Sequence, residues 1–242
     1  MFAIETKNLV KKYKDLTAVA GIDLKVQEGE LFALLGTNGA GKTTTIKMLS
    51  SLIVPTAGEI TILGMDIVKD RQKIREILNV SPQETAIAPN LSVKENLEFM
   101  SNVYQIPNRE AKVEELVKLF HLEEVLAKKA KTLSGGWQRK VSIAIALVNE
   151  PKILFLDEPT LGLDVIARKE LWTVIESLKG RITIILTTHY MEEAESLSDR
   201  IGIMAHGKLV DIGTAEELKQ IAGKSTLEDA FVELATKGGA PA

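Results

Sequence analysis

Alternating apolar and polar runs divide the first third of the chain into strand-like pieces and short helical stretches. The apolar run at 31–36 ends in a glycine-rich segment, and a helical pattern follows from residue 42. Strand-like runs return at 58–64 and 77–83, separated by a polar stretch at 66–77 that has a helical pattern. This order predicts a β-strand, a tight loop and a helix in succession, followed by further strands.

Helical patterns dominate the middle of the chain, and sheet patterns return after it. Ser92 and Glu95 form a predicted capping box before the first of two amphipathic helices, and another helical segment begins at Gly135. The apolar runs at 152–159 and 181–189 are typical of buried parallel strands. A last strand-like region then leads to a short amphipathic end. The pattern predicts an α/β fold with a helical insertion.

Composition argues against several functional classes. With 242 residues, 45% hydrophobic residues and a formal net charge of -3, the chain is predicted to be globular and to bind no nucleic acid. It has no cysteine, and its three histidines lack metal-ligand spacing. Two of them, His121 and His206, are assigned no role. No apolar run approaches the ~18 residues of a membrane-spanning helix, and the first residues do not resemble a secretion signal. We therefore expect a chain that does not cross a membrane by itself.

A phosphate-binding loop is the strongest chemical motif. The segment follows the pattern G-x-x-x-x-G-K-[ST] between an apolar strand and a helix, so its N–H groups and the helix N-terminus are expected to bind phosphate. Lys42 is expected to contact the β- and γ-phosphates and to act in catalysis, and the Thr43 hydroxyl is expected to bind Mg²⁺. The predicted contacts of a nucleoside triphosphate are Gly36, Thr37, Asn38, Gly39, Ala40, Gly41, Lys42, Thr43 and Thr44.

Two carboxylates follow a buried strand further along the chain. Asp157 and Glu158 come directly after four apolar residues, at the strand end that carries ligands in parallel α/β sheets. Asp157 is the predicted Mg²⁺ residue, and Glu158 is the predicted general base for an attacking water. Such a pair is most often part of a solvated loop, but the phosphate loop favours the functional interpretation.

The sequence Leu133-Ser134-Gly135-Gly136 precedes a helix upstream of Asp157. With the phosphate loop, it makes the chain resemble the ATP-binding cassette (ABC) family. The resemblance implies a P-loop NTPase with a mixed sheet core, an N-terminal antiparallel β subdomain and a helical subdomain insertion. It also implies the boundaries of a single ABC ATPase domain: a catalytic RecA-like lobe at about 1–83 and 151–220, a helical lobe at about 84–150 and a C-terminal helical tail at about 221–242.

The resemblance also implies a dimer that shares two ATP sites. In the family, Ser134, Gly135 and Gly136 of one subunit would contact the γ-phosphate bound by the other subunit, with Mg²⁺ as the metal. The chain departs from the family pattern at Trp137, where glutamine is common. Because the signature's anion contacts come from the three preceding residues, we expect Trp137 to pack without ending activity.

Four further positions are similar to functional residues of the family. Tyr13 resembles the aromatic residue that stacks on adenine, and Gln83 resembles the glutamine that contacts Mg²⁺ and senses the membrane partner. Asp164 resembles the residue that crosses the dimer interface, and His189 resembles the switch histidine at the γ-phosphate. The structural alternatives are a half-buried strand tyrosine for Tyr13, a polar linker residue for Gln83 and a helix N-cap for Asp164.

The resemblance further implies a transporter ATPase that works with a separate transmembrane permease and a second copy of itself. Residues 225–234 resemble the tail of ABC-2 exporter subunits, which favours export and a location on the cytoplasmic inner face of the membrane. The permease is expected to dock near Gln83, where Pro89, Leu91 and Val93 are predicted to be exposed. The alternative is a soluble ABC ATPase acting on nucleic acid or ribosomes. A non-enzymatic ATP switch is disfavoured because both Glu158 and His189 are present.

Overall fold

Two β-sheets organise the computed structural model, which describes residues 1–238. The strands are β1 (Phe2–Tyr13), β2 (Leu16–Gln27), β3 (Leu31–Gly36), β4 (Ala57–Ile62), β5 (Met65–Asp66), β6 (Leu78–Ser81), β7 (Ile153–Asp157), β8 (Thr183–Thr188), β9 (Arg200–Ala205) and β10 (Lys208–Gly213). The helices are α1 (Lys42–Leu49), α2 (Arg71–Ile77), α3 (Val93–Val103), α4 (Arg109–Phe120), α5 (Gly135–Ala146), α6 (Val165–Ser177), α7 (Met191–Leu197), α8 (Ala215–Ala222) and α9 (Leu227–Gly238).

The larger sheet has six strands in the order β10-β9-β3-β8-β7-β6. All neighbours are parallel except β9 and β10, so the sheet is mixed, as predicted. Strands β3, β7 and β8 are buried along their whole length, which explains their continuous apolar sequences. Their register places Leu35 beside Thr188 and Asp157 beside Thr187. The segments that follow these strands therefore meet at one edge of the sheet.

The smaller sheet is antiparallel and has the order β2-β1-β4-β5. It confirms the predicted N-terminal antiparallel β subdomain. Tyr13 ends β1 and pairs with Leu16, the first residue of β2. This pairing brings the tight turn between the two strands to the neighbourhood of the phosphate loop.

Helices α3, α4 and α5 form the helical insertion and share one hydrophobic core, in which Leu97, Phe120 and Val141 are fully buried. The predicted capping box at the start of α3 is confirmed. The Glu95 N–H donates to Ser92 Oγ at 3.2 Å, and the Ser92 N–H donates to Glu95 Oε2 at 2.7 Å. These reciprocal bonds satisfy two amide groups that the first turn leaves free.

Two local predictions were wrong. The polar stretch at 66–77 becomes helical only at Arg71, because Asp66 belongs to β5 and its carboxylate accepts hydrogen bonds from the next turn. Val93 is fully buried, because the first turn of α3 faces the helical core; Pro89 is exposed and Leu91 is half-buried.

The predicted C-terminal helical segment at about 221–242 contains the end of α8 and all of α9. Residues 239–242 lie outside the described part of the chain. Among the helices of residues 1–238, none combines the length and apolar character that a membrane crossing requires.

Candidate functional site

The phosphate loop joins β3 to α1 and depends on glycine at the start of the helix. Gly41 is the N-cap of α1 and has a φ of 101°, a left-handed conformation. A Cβ atom at this position would lie 2.5 Å from the Ala18 carbonyl oxygen. The Ala40 carbonyl accepts a hydrogen bond from the Gly207 N–H at 3.1 Å. The loop is therefore packed tightly between β2 and the turn that joins β9 to β10.

A cavity of about 630 Å³ lies over this loop. It brings together most of the predicted loop residues with Gln83 and Glu158, which come from distant parts of the sequence. Its walls are formed by Leu16, Thr17, Ala18, Thr37, Asn38, Gly39, Ala40, Gly41, Lys42, Thr43, Thr44, Gln83, Glu158, His206 and Gly207. Gly36 is buried at the end of β3, behind the wall.

A second cavity of about 710 Å³ lies between the outer side of the loop and α9. Phe231 and Val232 contribute to its walls, but Lys42 and Glu158 do not. We therefore take the first cavity as the candidate site, because Lys42 and Glu158 belong to its walls.

Lys42 is held in a defined position although its side chain is long. It is 5% exposed, and its Nζ donates hydrogen bonds to the Gly36 carbonyl at 2.7 Å and the Thr37 carbonyl at 3.3 Å. The same Nζ lies 3.1 Å from Glu158 Oε1. Lys42 thus carries its charge to the cavity floor, where it faces the predicted general base.

Glu158 lies between two of the other predicted catalytic residues. Its Oε2 is 2.8 Å from His189 Nδ1, while its Oε1 faces Lys42. Its backbone φ is 49°, in the left-handed region that non-glycine residues rarely adopt. The Glu158 N–H donates to both the carbonyl and the hydroxyl oxygen of Thr187, at 3.1 and 3.0 Å. The turn after β7 therefore aims Glu158 back toward the phosphate loop.

Thr43 belongs to the cavity wall, and Asp157, which is buried and is not one of the wall residues, lies in contact with it. Thr43 Oγ1 lies 3.1 Å from Asp157 Oδ1, and that carboxylate oxygen also accepts a hydrogen bond from the Thr187 hydroxyl. Hydroxyl and carboxylate oxygens are ligands that Mg²⁺ prefers, and Mg²⁺ commonly takes only one or two protein ligands beside a phosphate. The residues present therefore fit Mg²⁺, and in residues 1–238 there is no cluster of three or more His, Cys, Asp or Glu side chains able to hold a metal.

Tyr13 is not one of the wall residues of the cavity, but it lies next to one of them in the antiparallel sheet. Its side chain is 45% exposed, and Lys11 Nζ lies 5.1 Å from the centre of its ring. Its strand partner Leu16 belongs to the cavity wall. The exposed ring is accessible to a flat ligand that extends outward from the phosphate loop.

The Ser134-Gly135-Gly136 segment lies at the N-terminus of α5 and outside the cavity walls of its own chain. Ser134 and Gly135 are exposed, and the Ser134 side chain makes no capping hydrogen bond. Trp137 is half-buried against the helical core, with Lys140 Nζ 4.6 Å from the centre of its ring. The segment presents a hydroxyl and free N–H groups to its surroundings.

Asp164 is the N-cap of α6. Its carboxylate accepts hydrogen bonds from the Ile166 and Ala167 N–H groups, at 2.9 and 3.0 Å. Asp164 therefore caps a helix, which is the structural role that the sequence offered as its alternative. Asp164 is nevertheless exposed, so the cap leaves its outer side accessible.

Sequence reasoning missed several residues around the site. His206, to which it assigned no role, lies on the cavity wall. Arg139 on α5 is 4% exposed and binds the backbone near Glu158, and burial lowers its pKa to about 10. Glu193 on α7 is fully buried, and burial raises its pKa. Each residue lies in an ordinary turn or helix pattern, so no sequence signal separates it from its neighbours.

Comparison with known proteins adds independent information. A family model described as "ABC transporter" matches residues 19–161. The chain is 40% identical over 240 residues to the "Probable multidrug ABC transporter ATP-binding protein YbhF" of Escherichia coli strain K12, with 96% of this chain and 41% of that protein covered. It therefore spans less than half the length of this relative.

A second relative is similar along most of its length. The "Daunorubicin resistance ATP-binding protein DrrA3" of Streptomyces coeruleorubidus is 38% identical over 243 residues, with 99% of this chain and 77% of that protein covered. Among solved structures, "Dimeric structure of a post-hydrolysis state of the ATP-binding cassette MJ0796 bound to ADP and Pi" matches with a TM-score of 0.80 and 27% identity. That match covers 87% of this chain and 98% of the other.

Proposed function

The chain belongs to the ABC transporter family of ATP-binding proteins, and we propose that it binds and hydrolyses ATP to drive a membrane transporter. The observation that carries this proposal is the contact of Glu158 with both Lys42 and His189 on the wall of the phosphate-loop cavity. These contacts support roles for a carboxylate base, a cation and a histidine at the γ-phosphate.

The cavity walls suggest how ATP is held. The N–H groups of the loop and the N-terminus of α1 bind the phosphates, and Lys42 binds their γ end. Tyr13 stacks on adenine at the rim. Thr43, Asp157 and Gln83 are the residues that would hold Mg²⁺, directly or through water. When bound, Mg²⁺ supplies positive charge that offsets the charge of the phosphate oxygens.

Hydrolysis needs a water molecule that is both positioned and deprotonated. Glu158 Oε1 accepts the water proton once the γ-phosphate has taken its place as the partner of Lys42. His189 holds Glu158 Oε2 and orients the carboxylate, and Lys42 stabilises charge on the transferring phosphoryl group. The turn after β7 therefore positions Glu158, and Lys42 and His189 supply the other polar groups of the reaction site.

A second subunit completes the site in our proposal. Gly135 has an ordinary helical backbone, and a Cβ atom there would meet nothing within 4 Å in the described part of the chain. Since glycine weakens a helix, packing within this chain does not explain it. A close approach by the γ-phosphate of the partner's ATP does, with the Ser134 hydroxyl as a further donor. Asp164 lies at the same interface. The dimeric form of the related cassette supports this arrangement.

We extend the proposal to the membrane partner. The catalytic lobe comprises about 1–83 and 151–220, and the helical lobe about 84–150. A groove of about 500 Å³ lies at their junction, and its walls include Leu52, Pro82, Ala86 and Tyr104. A cytoplasmic helix of a transmembrane permease docks in this groove next to Gln83, which reports its presence to the ATP site. The names of the relatives, which refer to multidrug transport and daunorubicin resistance, favour export.

Phosphate release by the purified chain tests the catalytic part of the proposal. ATP with Mg²⁺ should be hydrolysed, and Glu158→Gln should lower kcat by about 100-fold or more without weakening ATP binding. The matched control is Glu124→Gln, which changes an exposed carboxylate. Equal turnover by the wild type and Glu158→Gln would exclude Glu158 as the base.

Pull-down of the chain from membranes, scored for a transmembrane permease that co-purifies with it, tests the docking groove. Ala86→Glu places a charge in the groove and should abolish co-purification. Val232→Glu is the control, since Val232 is exposed on α9, outside the groove. Unchanged co-purification of Ala86→Glu would refute the groove as the docking site.

A further inference from the structure

Arg139 of α5 holds four backbone carbonyl groups with one buried side chain. Its Nε donates to the Pro159 carbonyl at 2.7 Å, and its Nη2 donates to the Asp157 carbonyl at 2.7 Å. Its Nη1 donates to the Pro82 carbonyl and, at 3.2 Å, to the Gln83 carbonyl. One guanidinium therefore links α5 to the turn after β7 and to the segment after β6.

Two of these carbonyl groups belong to the neighbours of Glu158 on either side, Asp157 and Pro159. Glu158 has a left-handed φ of 49°, and such conformations of non-glycine residues persist only where the surroundings hold them. Thr187 holds the Glu158 N–H from the β8 side. Arg139 supplies the opposing contacts from the helical insertion, so the turn is clamped between two elements.

We propose that Arg139 is a positioning residue for Glu158, fixing the turn that carries this carboxylate and linking its placement to α5 and to the Gln83 segment. Because α5 begins at Gly135, the position of the signature segment, Ser134-Gly135-Gly136, is transmitted through Arg139 to the catalytic base of the same subunit. This inference rests on the proposed hydrolysis of ATP, and it adds a residue to which sequence reasoning gave no role.

An arginine is required by the geometry of these contacts. The guanidinium directs its N–H groups along several fixed directions at once, whereas a lysine ammonium is a point charge at the end of a flexible chain. Burial lowers the pKa of Arg139 to about 10, so the side chain stays charged at neutral pH. The carboxylates of Asp157, Glu193 and Glu158 lie close enough to favour that charge.

The position of Arg139 separates its effect on catalysis from any effect on binding. It does not belong to the walls of the phosphate-loop cavity, and it makes no hydrogen bond to the loop itself among the described contacts. Loss of the guanidinium should therefore misplace Glu158 while Lys42 and the loop still bind ATP. The expected signature is a lower kcat with a nearly unchanged Kd for ATP.

The test compares Arg139→Lys and Arg139→Gln with the wild type. Each variant is assayed for kcat per ATP-binding site, which corrects for any fraction that fails to fold, and for the Kd of ATP. Arg200→Lys is the matched control, because Arg200 also donates to a backbone carbonyl and a carboxylate, those of Lys25 and Glu30, away from the cavity.

We expect kcat to fall at least about tenfold in both Arg139 variants, with the Kd for ATP within about threefold of the wild type. In a Glu158→Gln background, Arg139→Lys should cause no further loss, because both substitutions act on the same group. Arg200→Lys should retain wild-type turnover.

Three results would overturn the inference while leaving the proposed function intact, provided the wild type hydrolyses ATP. These are unchanged kcat per site in both variants, a further full loss in the Glu158→Gln background, or failure of both variants to yield any folded, ATP-binding protein. The last would assign Arg139 to fold stability alone. An inactive wild type would overturn the proposed function itself.

Discussion

Lys42 and Glu158 form a buried ion pair at the floor of the phosphate-loop cavity, with Lys42 Nζ 3.1 Å from Glu158 Oε1 and both side chains no more than 6% exposed. Each charge is removed from water and depends on the other for its stabilisation. A γ-phosphate that binds Lys42 must therefore compete with Glu158. In our account, this exchange frees the carboxylate for the attacking water only when the substrate is in place.

The first prediction concerns the stability of this pair. Lys42→Met leaves the Glu158 carboxylate buried without its cation, so the free energy of unfolding without nucleotide should fall by about 3 kcal/mol or more. Adding Glu158→Gln removes the unpaired charge and should restore most of the loss. Urea unfolding of the single and double variants measures both effects. A double variant no more stable than Lys42→Met would show that the pair is energetically unimportant.

The second prediction is that a substitution in the signature segment lowers turnover without lowering stability. Gly135→Ala meets open space and a helical backbone, so stability should be unchanged or rise by up to about 1 kcal/mol. Turnover should nevertheless fall at least about tenfold, because the new methyl group faces the partner's γ-phosphate. Gly136→Ala is the contrast, since its Cβ would lie 3.1 Å from Ala167 Cβ, and this close contact should make it less stable than Gly135→Ala. Full turnover by Gly135→Ala would contradict a shared site.

The third prediction concerns pH and the buried carboxyl group of Glu193. Its Oε1 accepts hydrogen bonds from the Thr160 hydroxyl at 2.8 Å and the Trp172 indole N–H at 3.0 Å, whereas its Oε2 has no hydrogen-bond partner within residues 1–238. Burial raises its pKa, and the charge of Glu158 acts in the same direction, although the hydrogen bonds from Thr160 and Trp172 act against both.

A pKa that is higher in the folded than in the unfolded chain means that the folded state binds the proton more tightly. The Glu193 contribution to stability is then fully present below its unfolded pKa and is lost as pH rises through the folded pKa. Glu193→Gln keeps the accepting oxygen and removes the titration. Unfolding free energies at pH 5 and pH 8 should show the wild type losing stability relative to this variant at the higher pH. A constant difference between the two proteins would contradict the shifted titration.

The sequence predicted those site residues whose positions follow from the order of the strands along the chain. Asp157, Glu158 and His189 follow buried apolar runs, and parallel pairing of such strands brings their ends to one edge. The phosphate loop was also predictable from the sequence, because the left-handed backbone at Gly41 requires glycine. These features were predictable because they depend on neighbours in the chain or on the general geometry of parallel sheets.

The contacts that adjust the site were not predictable, because they depend on packing between distant segments. Arg139 reaches Pro82 and Pro159, which lie 57 and 20 residues away in the chain. His206 reaches the cavity only because β9 lies next to β3. The predicted exposure of Val93 was wrong for the same reason, since the orientation of α3 follows from its core partners and not from its local sequence.

The central claim is that ATP joins two copies of this chain through the phosphate loop of one and the signature segment of the other. Sedimentation of Glu158→Gln tests it most directly, because slow hydrolysis preserves bound ATP. With ATP and Mg²⁺ the variant should sediment as a dimer, while with ADP, or with the added substitution Ser134→Arg, it should remain a monomer. A Glu158→Gln protein that binds ATP with Mg²⁺ and stays monomeric would contradict the account.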